Sequence, residues 1–374
     1  MLPLQTAELH RARVAASLAR GHAAALDEAG AAPAADIVNL RDAGLLAAPL
    51  PPALGGAGLG AGSAGAARLA RVLEAIGYGS LPLGRIYEGH VNAVLLVLGY
   101  GRAEQIGRVA KLVCDGALLA VWNTQTEAGG VTIEARAEGL RLHGAKTHAS
   151  GAGLVAHPLI TARDAEGALY MVIPEVASQR ADLSSWDPGG MRASASGTVD
   201  FTDIAITRDD IFGAPDDFHR QPMFSAGAWR FAAVQTGGIA AVYDAARAHL
   251  EATARMDDPH QLARMGRASI ALESARLWVR QAALHAADEG MPGETRVAYV
   301  NLARSAVERA GLDVLEAAQR SVGLAGAMRS HPLERLSRDL ATYLRQPNPD
   351  KALCEGAALM LRDGSDAFEP PPWA

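Results

Sequence analysis

The order of periodicities along this chain is what most constrains its fold: a helical stretch of about 115 residues, a run of short alternating strands, then a second long helical stretch. A doubly wound α/β protein alternates strand and helix throughout, so this order excludes it. In the first block Leu9, Val14, Leu18 and Leu26 recur at helical spacing between Ala7 and Gly30, and Ile37–Leu46, Ala64–Ile76 and His90–Leu98 read as further helices. A Pro/Gly-rich loop from Pro49 to Gly60 divides them. The middle block carries the strand-like runs Ala117–Trp122, Val131–Ala137, Leu140–His143, Leu169–Ile173 and Gly197–Ile206. From Phe224 to Leu344 long Ala/Leu/Arg helices return, broken at Asp257–Pro259, Gly290–Gly293 and Gly323–Pro332, the pattern of a helical bundle. The expected division is an α+β chain with helical residues 1–116, a β-domain over 117–212 and a helical domain over 213–374, with an extended tail at Glu369–Ala374.

Charge and cysteine usage narrow the classes of function. Lys and Arg total 35 against 41 Asp and Glu, a net charge of −6, so no global positive field recruits nucleic acid or an anionic membrane, although a local cationic pocket stays open. No run reaches the roughly 18 apolar residues of a membrane span. The N-terminal residues lack the basic start and apolar core of a signal peptide. Cys114 and Cys354 stand far apart without a CxxC or Cys/His cluster, which argues against a disulfide framework and a metal site. A cytoplasmic protein is expected.

Five segments carry chemical information. Leu40–Leu46 is followed by Pro49 and Leu54–Leu59; Leu119–Glu127 is followed by Gly129 and Gly130; Leu142–Gly151 contains Lys146, His148 and Ser150. Asp187–Ile204 reads D-P-G-G-M-R-A-S-A-S-G-T-V-D-F-T-D-I, and Gln319–Gly323 with Gly326 precedes His331–Asp339. Each has a plain reading: a helix end with a Gly-rich loop, a strand end with a buried Trp, a structural His, a solvated loop cation at Arg192, a helix–loop–helix corner. The glycines at 55–58 follow no predicted strand, so a phosphate-cradling loop is disfavoured there.

Together these segments resemble the acyl-CoA dehydrogenase superfamily of flavoproteins over nearly the whole length. The resemblance implies an N-terminal helical domain, a middle β-barrel-like domain and a C-terminal four-helix bundle, assembled as a dimer or tetramer. It implies FAD as cofactor, with Trp122, Asn123, Thr124, His148 and Ser150 cradling the ring. An indole can pack on the ring while Asn and Thr offer hydrogen bonds to its carbonyls. It further implies that Arg255, with Arg264 or Arg267 as substitutes, and Gln319, Val322 and Gly323 meet the adenosine and pyrophosphate part across a subunit interface. Arg230 matches a family Arg at the substrate mouth and is the expected substrate-binding residue.

The match fails where dehydrogenases keep the carboxylate that removes the α-proton. One slot is Pro347 and the other Trp229, which leaves Asp350 as the only nearby catalytic candidate, on a segment that Pro347 and Pro349 are expected to keep from forming a helix. Monooxygenases of the same fold often place a His near this segment; Gln346 is nearest here, with His90 and His331 as spare imidazoles. Three functions follow. The first is an FAD-dependent oxidoreductase moving a hydride from an acyl-CoA or related thioester to flavin N5, with a separate electron acceptor. The alternatives are a flavin monooxygenase acting on an aromatic or amine substrate, and an incomplete subunit that pairs with an active paralogue.

Overall fold

Helix ends in this protein are set by a few side chains and glycines. The computed structural model describes residues 6–345 and 347–363, with Pro371 and Trp373; most of the tail expected to be extended lies outside the described residues, as does Gln346. Helix α1 (Ala7–Ala29) starts where Thr6 Oγ1 accepts from the Leu9 amide at 3.3 Å and stops at Gly30, whose φ of 60° closes the last turn. Helix α2 (Ala34–Asp42) ends before the expected Leu46, because the chain turns through Gly44 at φ 68°. Helices α3 (Gly62–Gly79) and α4 (Leu81–Tyr100) meet at Ser80, whose extended backbone stops one and whose hydroxyl caps the other through Leu83 N. Helix α4 thus begins well ahead of the expected His90. Helix α5 (Ala103–Cys114) completes the block.

The middle block forms two sheets. The larger joins β1 (Leu119–Trp122), β2 (Val131–Arg136), β3 (Gly139–His143), β5 (His157–Arg163), β6 (Leu169–Val172), β9 (Ala205–Ile206) and β10 (Ile211–Phe212), in the order β10-β6-β5-β2-β3-β9, with β1 parallel to β5. The smaller places β8 (Gly197–Asp200) between β4 (Ala145–Ala149) and β7 (Ala181–Asp182). Strand β4 is irregular between Lys146 and Ala149, where His148 adopts φ 51°.

In the last block a short α6 (Met223–Ala226) leads into the bundle of α7 (Trp229–Ala252), α8 (Pro259–Ala286), α9 (Gly293–Val322) and α10 (Pro332–Tyr343), with α11 (Pro349–Asp363) against α9. Asp258 and His331 cap α8 and α10 by accepting from His260 N (2.8 Å) and Leu333 N (3.1 Å). Pro349 opens α11. A proline in the first turn loses no helical hydrogen bond, so the expectation that Pro347 and Pro349 prevent a helix is corrected.

The blocks interlock. Helices α3 and α7 cross so closely that a Cβ on Gly237 would lie 2.1 Å from Glu74 O, and one on Gly77 2.2 Å from Val234 O. Arg338 on α10 binds both carboxylate oxygens of Asp27 on α1 (2.7 and 3.2 Å), the carbonyl of Gly189 from the β-domain (2.7 Å) and Glu334 (2.7 and 2.9 Å). Beside it Asp339 Oδ1 accepts from Met191 N at 2.6 Å.

Candidate active site

A cavity of about 840 Å³ lies between α4, the first turn of α7, the first turns of α9, and α11, with Val121 of β1 on its wall. Its apolar lining includes Leu96, Phe218, Phe224, Phe231, Val297 and Leu359. A polar cluster forms one side. Glu88, buried on α4, accepts from Arg85 at 2.6 Å and from Asn92 one turn on, and Asn92 Oδ1 accepts from Arg230 Nε at 2.5 Å. Arg85, Glu88 and Asn92 meet because spacings of three and four residues share one helix face. Burial pulls Arg230 down to about 10, opposed by the nearby Glu88 carboxylate, so it is a cation at neutral pH. Its guanidinium lies 5.7 Å from the Trp229 ring, and Arg304 sits 5.1 Å from Phe231. Arg230, the residue expected to bind substrate, thus lies on the cavity wall.

Other expected residues fall elsewhere. Asp350 is exposed and off the face of α11 that turns Lys351, Glu355 and Leu359 to the cavity; as a base for a bound substrate it is corrected. Trp122 is 2% exposed, its Nε1 donating to Ser150 O at 3.0 Å and its ring edge-on to Phe201. Its indole is sealed in the core, which corrects the expectation that it packs on a cofactor ring. The strand's alternation gives the cavity Val121 instead. Ser150 is also enclosed, its hydroxyl bonded to Ser196 Oγ at 2.8 Å.

Asn123, Thr124 and His148 are accessible. Thr124 O accepts from Thr147 N (3.1 Å), and the His148 ring stands edge-on to Trp186 at 6.3 Å. Beneath them the fully buried Lys146 donates to Asn123 O (3.2 Å) and Thr161 Oγ1 (2.9 Å), and Thr161 donates to Asn123 Oδ1 at 2.6 Å. Burial, with Arg163 nearby, lowers Lys146 to about 8.

Arg255, Gln319 and Gly323 are exposed and Val322 is buried, at the end of the bundle opposite the cavity. The cavity lining on α9 runs from Gly293 to Arg304, and Gln319 and Val322 lie further along the helix, roughly 22–27 Å beyond Arg304 at 1.5 Å per residue. Oriented so that its amide nitrogen faces Ser321 Oγ (2.9 Å), Gln261 accepts from Arg255 (2.5 Å) and Arg264 (3.0 Å).

His90 is enclosed and bonded on both ring nitrogens, and His331 caps α10 with its other nitrogen 3.2 Å from His249. Among the described residues no group of three or more His, Cys, Asp or Glu is placed to hold a metal ion, and no helix is long and apolar enough to cross a membrane. Sequence reasoning missed Arg85, Glu88, Asn92 and Arg304. The signal for the first three was the Arg85-x-x-Glu88-x-x-x-Asn92 spacing in an otherwise apolar segment.

The helical–β–helical architecture and its cavity define a class that comparison with known proteins identifies. Residues 5–117 match the acyl-CoA dehydrogenase N-terminal domain and residues 221–344 the acyl-CoA dehydrogenase C-terminal domain. The chain belongs to the acyl-CoA dehydrogenase superfamily. It is 26% identical over 337 residues to the 3-sulfinopropanoyl-CoA desulfinase of Advenella mimigardefordensis, covering 82% of this chain and 80% of the relative. It is 28% identical over 233 residues to the amino sugar nitrososynthase DnmZ of Streptomyces peucetius; that match spans 56% of each protein. Its fold is that of FMN-bound TdsC, a dibenzothiophene monooxygenase from Paenibacillus sp. A11-2, with a TM-score of 0.85, 19% identity and 98% of both chains covered.

Proposed function

We propose that this chain is a flavin-dependent monooxygenase that uses a reduced flavin and dioxygen to oxygenate a small organic substrate bound in the cavity beside Arg230. The observation that carries this reading is the state of the cavity's carboxylates. Among the described residues Glu88 is held by Arg85 and Asn92, Glu355 is half exposed beside Lys351 and Asn301, and Glu294 is exposed. None is a free, enclosed base, and a positioned base is typically worth about 10²–10⁴-fold in proton abstraction. Oxygenation of an electron-rich atom requires no α-proton removal. The activities for which TdsC and DnmZ are named support the same reading.

Asn123, Thr124, Thr147 and His148, with Trp186 beside them, offer amide, hydroxyl and imidazole groups next to an aromatic plane, a donor set that fits a flavin ring edge. When bound, the flavin supplies two electrons, so that one atom of dioxygen enters the substrate and the other leaves as water. Lys146 fixes the Asn123 backbone and, through Thr161, its side chain. Leu96, Phe218, Phe231 and Val297 exclude water, and Arg230 with Asn92 holds the polar end of the substrate.

The test is oxygen uptake and product analysis with chemically reduced FMN or FAD and a panel of heteroaromatic, amine and organosulfur compounds. Substrate-dependent oxygen incorporation is expected. Bleaching of bound flavin by an acyl-CoA panel without oxygen would instead establish thioester oxidation by FAD, as the family resemblance implies. A chain that binds neither flavin would fit the subunit of a heteromer.

A further inference from the structure

The cavity's charges do not balance. Among the described residues its lining contains four cations, Arg230, Arg304, Lys351 and Arg362, and three carboxylates, Glu88, Glu294 and Glu355. Two of the carboxylates are already engaged: Glu88 by Arg85, which lies outside the lining, and Glu355 by Lys351 at 3.7 Å. Among the described lining residues that leaves Arg230, Arg304 and Arg362 against the unengaged Glu294, three charges to one. Glu294 and Arg362 are exposed, whereas Arg230 and Arg304 are partly buried beside Trp229 and Phe231.

The partners of these two arginines are neutral. Arg230 donates to the Asn92 side-chain oxygen and Arg304 to the Pro347 carbonyl at 2.8 Å. Neither forms an ion pair with a carboxylate among the described residues. Glu88 is the nearest charge to Arg230, and it is shared with Arg85, so that trio keeps one positive charge. Glu308 and Glu355 act on Arg304 from further off, and Glu308 is already paired with Arg345. A partly desolvated guanidinium without a carboxylate is costly and interacts strongly with any anion that reaches it. This positive balance runs against the chain's overall net charge of −6.

We infer that the cavity selects an amphiphilic organic anion, whose carboxylate or sulfonate group pairs with Arg230 and Arg304 while its apolar body lies against Leu96, Phe218 and Val297. This deepens the monooxygenase reading by naming its substrate class; it rests on that reading for the reaction, and on the cavity alone for the anion. An apolar lining with few convergent polar groups is how small-molecule sites fix orientation.

The test is calorimetric binding to the whole 374-residue chain without flavin, using a naphthoate and a naphthalenesulfonate against the matching naphthyl alcohol and naphthyl amine. The acids are expected to bind at least about tenfold more tightly than the alcohol, and the amine more weakly than the alcohol. Arg230→Gln and Arg304→Gln are each expected to narrow the acid preference over the alcohol to about threefold or less. An alcohol or amine that binds as tightly as the acids overturns the inference, as does an acid preference that survives in both variants. The wild-type comparison stands even where a variant fails to fold. A wild-type acid preference without flavin-dependent oxygen incorporation would sink the monooxygenase reading and keep the anion site; oxygen incorporation without acid preference would do the reverse.

Discussion

His90 Nδ1 accepts a hydrogen bond from the Leu119 amide at 3.0 Å, while its Nε2 donates to the Leu46 carbonyl at 2.8 Å. The imidazole is wholly buried and joins α4 to the first β-strand and to the loop after α2. Only the neutral tautomer protonated at Nε2 fits, because a proton on Nδ1 would face the Leu119 N–H. Burial holds its pKa down to about 4.

An acid-side loss of stability follows. In the unfolded chain this histidine titrates near 6.5, so between about 6.5 and 4 the unfolded state binds a proton that the folded state refuses. Stability from the neutral ring is fully present above about pH 6.5 and falls by roughly 3 kcal/mol as pH drops toward 4. Denaturant unfolding across that range should show a steeper decline in the wild type than in His90→Gln, which is less stable at neutral pH. Parallel curves would refute the assignment.

Lys146 gives a prediction in which two readouts separate. Lys146→Met removes a buried cation without a carboxylate partner and is expected to change the unfolding midpoint little, since apolar replacement of a buried charge is often close to neutral. The same change frees the Asn123 segment, so flavin affinity should fall about tenfold in a fluorescence titration. Unchanged affinity would remove Lys146 from the ring-binding apparatus.

Two glycines should respond in opposite directions. Gly237→Ala places a methyl group 2.1 Å from Glu74 O and 2.5 Å from Tyr78 N, forces α3 and α7 apart, and should cost about 2–3 kcal/mol. Gly21 is exposed on α1, and a methyl group added there would meet nothing within 4 Å, so Gly21→Ala should stabilise by about 0.5–1 kcal/mol. Thermal unfolding of both variants reads the sign directly.

Asp350→Asn should leave turnover within about twofold, because the carboxylate faces away from the cavity. A loss of about a hundredfold or more would restore it as the base.

The chain's block order and most of its helices could be read from the sequence because both rest on periodicity and on breaks such as Asp257–Pro259, which act locally. The site was less legible. Whether Trp122 or Val121 faces the cavity depends on which side of β1 meets α4, and a one-residue change of register reverses the answer. Pro349 read as a helix breaker because its place in the first turn is visible only once the turn exists. Glu88 was overlooked because its partners, Arg85 and Asn92, had to be counted along a helix that begins earlier than its apolar run indicates.

Arg338 makes the three blocks inseparable in a way their sequence does not show. Its guanidinium is satisfied only when the first helix brings Asp27, the β-domain brings Gly189 and its own helix brings Glu334 to one point. Any graft between relatives, or any fragment chosen for study, must carry all three contacts together; a boundary drawn through a loop that looks harmless would strand an arginine at the seam. The natural unit of exchange in this protein is the whole chain.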